Sequence, residues 1–339
     1  MIRLEELVNN RVAVQGGEVE EVLLGTAVPG EVAQIIEDAV SDAIGPITSA
    51  LFYTRSVGLV ACVMAVGQPV VAKVRAWNTS ERHLLAIGRV QTRAATAGLP
   101  APKLLAEPRL LGHAWLTLEE YLPGDSADAT QAKVRKRMAK TLHDLVDAVR
   151  DPADNEGLAT AMVMNPSRDQ LWPEPHDVRF DFAGTVDGAR WIDEAAKNAR
   201  DVLDSLALDT LVGHFDWRVE NLGFRDERVV AIYDWDSVGL APEAVIVGCA
   251  AASFTTDWRT SPCHTPSFRE GLDFVADYEK ARGHHFISGE MSAFEAARLW
   301  TFAYGARCQH SDHQRGLVGG REDDLPWIGG LRDYLMSSH

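Results

Sequence analysis

Residues 214–236 read HFDWRVENLGFRDERVVAIYDWD. Six acids, a histidine and an asparagine stand beside apolar runs, and charges are costly to bury unless something pairs with them. An antiparallel hairpin reconciles the two. Asn221–Arg225 forms one arm, Val229–Tyr233 the other, and Asp226–Arg228 the turn. Phe224 then faces Val230, and Asn221 comes to lie near Tyr233 and Asp234 at the open end. An asparagine oxygen and a carboxylate held there are hard oxygen ligands. They suit Mg²⁺, whose shell nucleotide phosphates can complete. Asp216, on the loop entering the hairpin, is placed to orient a hydroxyl and receive its proton. Arg218 can reach a phosphoryl oxygen through its forked donors. His214 braces the loop by hydrogen bonding. Asp236 is either a further metal contact or the first residue of an acceptor site.

Working outward, ITSALFYT (47–54), LVACVMAV (59–66) and VVAKVRAW (70–77) are short β-rich runs separated by the turn signals RSVG and GQP. They predict an antiparallel meander. A helix follows, with Asn78 as its cap and Glu81 in capping-box position. Leu84, Ile87, Val90 and Ala94 form its stripe, and Gly98 and Pro100 end it. Residues 103–110 and 114–122 read as two more strands. Beyond Pro123–Asp125 the period turns helical. Residues 130–150 carry Val134, Met138, Leu142, Leu145 and Val149 on one face, and helices are expected at 190–207 and 292–309. Residues 151–190 read as a loop-rich insertion. Near the start, 31–44 is an amphipathic helix, whereas 11–30, rich in Gly and Glu, matches no period. The expected organisation is a 1–45 extension with a helix, a β-lobe over 46–122, and a mainly helical lobe over 123–339.

The spacing His214-x-Asp216-x-x-x-x-Asn221, followed by Asp234-Trp-Asp236 at the end of a strand, resembles the catalytic loop and metal-binding Asp of protein-kinase-like enzymes. With YDWD in place of DFG, it is most similar to the aminoglycoside phosphotransferase / choline kinase family of small-molecule kinases. The resemblance covers the chain from about residue 46. It implies an α+β, bilobal protein-kinase-like fold and transfer of the γ-phosphoryl group of ATP (or GTP), with Mg²⁺, to a hydroxyl. It also implies that Lys73 meets the nucleotide's α/β-phosphates and that Glu81 pairs with Lys73, with Gln91 the next residue able to replace it. In the same way it implies that the backbone of Glu120, Tyr121 and Leu122 holds the adenine edge. Asp216, Arg218 and His214 become the catalytic set, and Asn221, Asp234 and Asp236 the metal set. Two departures stand out. The loop YTRSVG (53–58) lacks the glycine pattern of protein kinases, and GLAPEAVIVG replaces the family's GDP…D stretch.

Composition narrows the partner. Thirty-three basic against 49 acidic residues give a net charge of −16. That argues against a nucleic-acid ligand, which needs a basic excess, and suits a small acceptor, cationic ones included. The resemblance implies an aminoglycoside-like antibiotic or an amino sugar as acceptor, with choline or another metabolite as the alternative. Acceptor-binding candidates are Glu174, Asp177, Asp181, Glu220 and Asp257, with Trp172, Trp258, Trp300 and Tyr304 as aromatic faces. Four scattered cysteines without a CxxC pair, no signal-peptide pattern and no long apolar run predict a cytoplasmic protein, monomeric or homodimeric, away from membranes. His284–His285 and the His310/His313 pair lack a third ligand and read as surface histidines. Two rivals remain. One is a metal-dependent hydrolase built on His214, Asp216, Asp234 and Asp236; the other is a nucleotide-binding homologue that does not turn over.

Overall fold

The computed structural model describes residues 2–337, apart from 56, 77–79, 165–169, 178 and 261–262. Asn78, expected to cap a helix, lies outside the described residues. The chain divides into two compact units, 1–96 with 101–122, and 97–100 with 123–339.

The first unit runs α1 (Leu4–Gln15), α2 (Glu18–Leu24), α3 (Pro29–Ala43), β1 (Ile47–Arg55), β2 (Leu59–Ala65), β3 (Gln68–Ala76), α4 (Glu81–Thr96), β4 (Leu104–Leu111) and β5 (Ala114–Glu120). The strands form one antiparallel sheet in the order β1-β2-β3-β5-β4. Val32, Ala33, Ile36, Ala39 and Val40 recur at helical spacing on α3 and share a core with Leu59, Ala61, Val63, Val70, Ala72 and Val74 of the sheet. Leu4 and Val8 of α1 join the same core. The segment over 11–30 therefore resolves into the end of α1 and a short α2, both packed with the sheet rather than apart from it. Helix α4 buries the expected stripe and opens with Ser80, whose Oγ accepts the His83 N–H at 3.2 Å. Gly98 follows it with φ 88°, the left-handed step that lets the chain turn away.

Buried polar groups tie the first helices to β1. Glu20 is fully buried on α2 and accepts the Tyr53 hydroxyl at 2.8 Å and a short bond from Arg55. Arg55 Nε also donates to Gln15 Oε1 at 3.2 Å. The Ala50 N–H on β1 donates to the Ile2 carbonyl at 2.9 Å. An edge strand left open invites pairing with another chain, and Ile2 with α1 covers part of this one.

The second unit contains α5 (Ala132–Ala148), α6 (Arg190–Leu203), β6 (Thr210–His214), β7 (Leu222–Arg225), β8 (Arg228–Ile232), β9 (Val238–Pro242), α7 (Glu243–Ser253), α8 (Phe268–Arg282), α9 (Ser288–Gln314) and α10 (Pro326–Ser337). Two short antiparallel pairs, β6–β9 and β7–β8, sit among these helices. All eleven residues of α7 are buried. A Cβ on Gly248 would fall 2.4 Å from the Phe294 carbonyl oxygen, so only glycine allows α7 to approach α9 this closely. Glu243, within the GLAPEAVIVG stretch, stands at the start of α7. Its carboxylate accepts the Tyr278 hydroxyl at 2.9 Å and pairs with Arg150 at 3.2 Å and Arg282 at 3.3 Å. It is a buried clamp between α7, α8 and the end of α5.

Candidate active site

The hairpin forms, one residue tighter than expected. Phe224 faces Val229 rather than Val230, because the register shifts between Gly223 and Phe224. The turn is Asp226–Glu227, both with positive φ, the conformation that matches the twist of a two-residue hairpin. At the open end the Tyr233 N–H donates to the Asn221 carbonyl at 2.8 Å. Asn221 and the residue before Asp234 are thus held together by backbone. Asp234 itself adopts a left-handed conformation, φ 54° and ψ 48°, which Asp tolerates better than most residues. Its carbonyl accepts the Ser237 hydroxyl at 2.7 Å and the Ser237 N–H at 3.2 Å, which fixes the bend.

On the entering strand, His214 is fully buried between Trp217 and Trp235, both edge-on to its ring. Its Nε2–H donates to the Tyr233 carbonyl at 2.8 Å, and its Nδ1 accepts the Asp216 N–H at 3.3 Å. One imidazole therefore ties the loop at Asp216 to the strand end at Tyr233. With both ring nitrogens engaged by backbone, it is not placed to ligate a metal or to shuttle protons.

Asp216 is half-buried and held from two sides. Arg218 Nη2 donates to Oδ2 at 2.6 Å, and Asn221 Nδ2 donates to the same oxygen at 2.8 Å and to the Asp216 carbonyl at 2.9 Å. Burial pushes the carboxyl up, but the Arg218 charge and hydrogen bond and the Asn221 amide outweigh it and hold it below the usual carboxylate range. The same bonds commit the Asn221 amide nitrogen to Asp216. The remaining side-chain atom, Oδ1, is an oxygen of the kind a divalent cation takes. Asn221 and Asp234 thus fit a Mg²⁺ that draws its other ligands from phosphates. Among the described residues no group of three or more His, Cys, Asp and Glu is arranged to hold an ion unaided. His214, with both ring nitrogens engaged by backbone, is not free to join a hydrolase cluster with Asp216, Asp234 and Asp236. Asp236 lies exposed on the turn after Asp234.

Other expected positions are distributed as follows. Lys73 on β3 pairs with Glu119 on β5 at 3.2 Å, both largely buried, whereas Glu81 is exposed at the first position of α4. The expected Lys73–Glu81 pair gives way to a cross-strand one. Lys73 faces Thr117 in the ladder, and Glu119 is the next residue on that face. Gln91 is buried on α4. Glu120 ends β5, its N–H donating to the Lys103 carbonyl at 3.0 Å, and the Tyr121 ring lies 6.0 Å from Phe52.

Several acceptor candidates are already occupied. Glu220 forms an ion pair with Arg218 Nη1 at 2.7 Å and accepts the Trp258 N–H at 2.9 Å. Burial raises its pKa against the Arg218 charge. Asp257 holds Arg259 through two bonds of 2.8 and 2.7 Å. Asp181 accepts the Gly184 N–H at 2.7 Å. Trp300 and Tyr304 stack at 5.1 Å, and the Tyr304 hydroxyl meets His176 Nδ1 at 2.8 Å. Trp258 is half exposed. Histidine 310, expected at the surface, is buried. It is bridged to Glu322 and, at 2.9 Å, to the Asp187 carbonyl, so it is a structural strut. Glu119, Glu220 and Glu243 were not assigned these roles from the sequence. Their partners are set by strand register and helix packing, which no local spacing encodes.

The model of the phosphotransferase enzyme family matches residues 65–284. An amicoumacin kinase, solved in complex with AMP-PNP, Ca²⁺ and Ami, superposes with a TM-score of 0.61 at 10% identity, over 84% of this chain and 88% of that one. A spectinomycin phosphotransferase bound to ADP and spectinomycin gives 0.55 at 12% identity, over 88% and 93%. An ethanolamine kinase of Plasmodium vivax gives 0.55 at 12%, over 100% and 95%. No curated protein sequence matches the chain.

Proposed function

The chain belongs to the phosphotransferase enzyme family and is a small-molecule kinase, and from that premise we propose that it moves the γ-phosphoryl group of ATP to a hydroxyl of an aminoglycoside-like antibiotic or amino sugar. The observation that carries the assignment is Asp216, a carboxylate kept ionised by Arg218 and oriented by Asn221 on a loop braced by His214. In the reaction the acceptor oxygen bonds to the γ-phosphorus and the bond from that phosphorus to the β,γ-bridging oxygen breaks. ADP leaves, and the hydroxyl proton passes to Asp216. Asn221 Oδ1 and Asp234 would hold Mg²⁺, which when bound neutralises charge on the phosphates. Lys73 binds the α- and β-phosphates, oriented by Glu119. Arg218 holds Asp216 and places its positive charge beside the transferring group. The chain's own work is positioning and electrostatics, with no covalent intermediate. That two of the similar structures are antibiotic kinases supports the acceptor class.

The test is ATP consumption across aminoglycosides, other antibiotics, amino sugars, choline, ethanolamine and nucleosides, with phosphorus NMR to identify a phosphate monoester. Wild-type turnover on an amino sugar, and a loss on the order of 10²–10⁴ in kcat for Asp216→Asn, are expected. A loss below tenfold removes Asp216 from the role of base. Turnover only on choline or ethanolamine moves the acceptor to that class.

A further inference from the structure

Glu220 was a candidate for gripping the acceptor, but its carboxylate is spent inside the protein. One oxygen is ion-paired with Arg218 Nη1 at 2.7 Å and the other accepts the Trp258 N–H at 2.9 Å, and its side chain is only 12% exposed. Arg218 meanwhile donates through Nη2 to Asp216 Oδ2 at 2.6 Å, with its Nε 2.5 Å from Oδ1 in the same ion pair. A guanidinium is a rigid planar fork. With Nη2 hydrogen-bonded to one carboxylate and Nη1 ion-paired with another, it cannot rotate about its Nε–Cζ bond without breaking a partner. Glu220 is in turn anchored through Trp258 N to the segment after α7, where Asp257 is closed by Arg259. The chain of contacts runs from the backbone at Trp258, through Glu220 and Arg218, to Asp216.

We infer that Glu220 is a positioning residue for phosphoryl transfer, holding Arg218 so that Arg218 in turn fixes the carboxylate of Asp216. This rests on the reading of Asp216 as base. It gives Glu220 no contact with the acceptor. A carboxylate misplaced by an ångström loses catalytic efficiency while the binding of nucleotide and acceptor stays intact.

Glu220→Gln is the decisive variant, because it keeps the shape and one oxygen but presents an amide to the second donor. It is expected to lower kcat by on the order of 10- to 10²-fold with both KM values within about twofold. Glu220→Asp, shorter by one carbon, should recover part of the loss if its carboxylate reaches Arg218. A rise in acceptor KM at unchanged kcat would make Glu220 an acceptor ligand and overturn the proposal, as would wild-type kcat in Glu220→Gln. Nitrogen-15 NMR of Arg218 decides without turnover. The two Nη signals should be separate in the wild type and averaged in Glu220→Gln, and an unaltered pattern overturns the inference. If the wild type phosphorylates nothing, the kinase reading falls by itself while the NMR result still judges the tether.

Discussion

At Asp234 one residue carries two demands. Its backbone sits in the left-handed region, and its side chain is assigned to the metal. Left-handed geometry costs most L-residues roughly 1–2 kcal/mol, and Asn and Asp are the usual exceptions. Two substitutions separate the demands. Asp234→Asn keeps the backbone preference and should unfold at the same denaturant concentration as the wild type while losing Mg²⁺-dependent turnover. Asp234→Ala should lose turnover and about 1 kcal/mol of stability besides. Denaturation in urea beside ATP titrations with and without Mg²⁺ reads both. Equal stabilities for the two variants would mean that the bend imposes no strain. The chemistry of this residue was legible in the sequence, because Asp234 follows an apolar strand and faces Asn221 across a hairpin. The backbone conformation was not legible, since it arises from the Ser237 bonds that close the turn after it.

Helix starts in the second unit show how an element answers to acid. Glu270, in the first turn of α8, accepts the Ser267 N–H at 2.9 Å and hydroxyl at 2.7 Å, while Ser267 Oγ accepts the Glu270 N–H at 3.2 Å. Glu290, in the first turn of α9, accepts the Ile287 N–H at 2.8 Å and pairs with Arg282 at 2.8 Å. Burial pushes both carboxyls up. The Ser267 bonds on one and the Arg282 and Ile287 bonds on the other hold them below the usual carboxylate range. A carboxyl depressed in the folded state binds fewer protons there than when unfolded. Its stabilisation is therefore present above the unfolded value near 4.3 and is lost as the pH falls through the lower folded value. Thermal unfolding of Glu270→Gln and Glu290→Gln should show reduced stability at pH 7 and a shallower acid decline than the wild type. A parallel offset at all pH values would discount the two carboxylates. Elements of this kind were readable from periodicity, as with α3, α4 and α5, whose apolar stripes fall where the spacing puts them. The hairpin register was off by one because a bulge inserts a residue, and a pattern of period two carries no mark of where that happens. The partner of Lys73 was misread for a related reason. Glu119 reaches it only because β5 lies beside β3 in the sheet order.

Across the whole molecule, unit one depends on a buried charge that the apolar pattern conceals. Glu20 is the acid of α2 that faces inward, where a hydrophobic residue would ordinarily stand, and it meets Arg55 and Tyr53. Removing one partner of a buried ion pair leaves the other uncompensated, at a cost of roughly 3–5 kcal/mol. Glu20→Ala should therefore destabilise this unit by about that amount, and Glu20→Ala with Arg55→Met should recover much of it. A double variant no better than the single would show that packing, not the stranded guanidinium, sets the loss. No helix among the described residues is long and apolar enough to cross a membrane.

The bond from the Ala50 N–H to Ile2 gives the same region an evolutionary meaning. The opening helices and β1 are not an accessory and its host. Each supplies groups that the other would leave stranded, Ile2 and Glu20 on one side, Ala50 and Arg55 on the other. A lineage that shed the helices would have to rewrite the strand in the same step, so the two are expected to be inherited, duplicated or lost together.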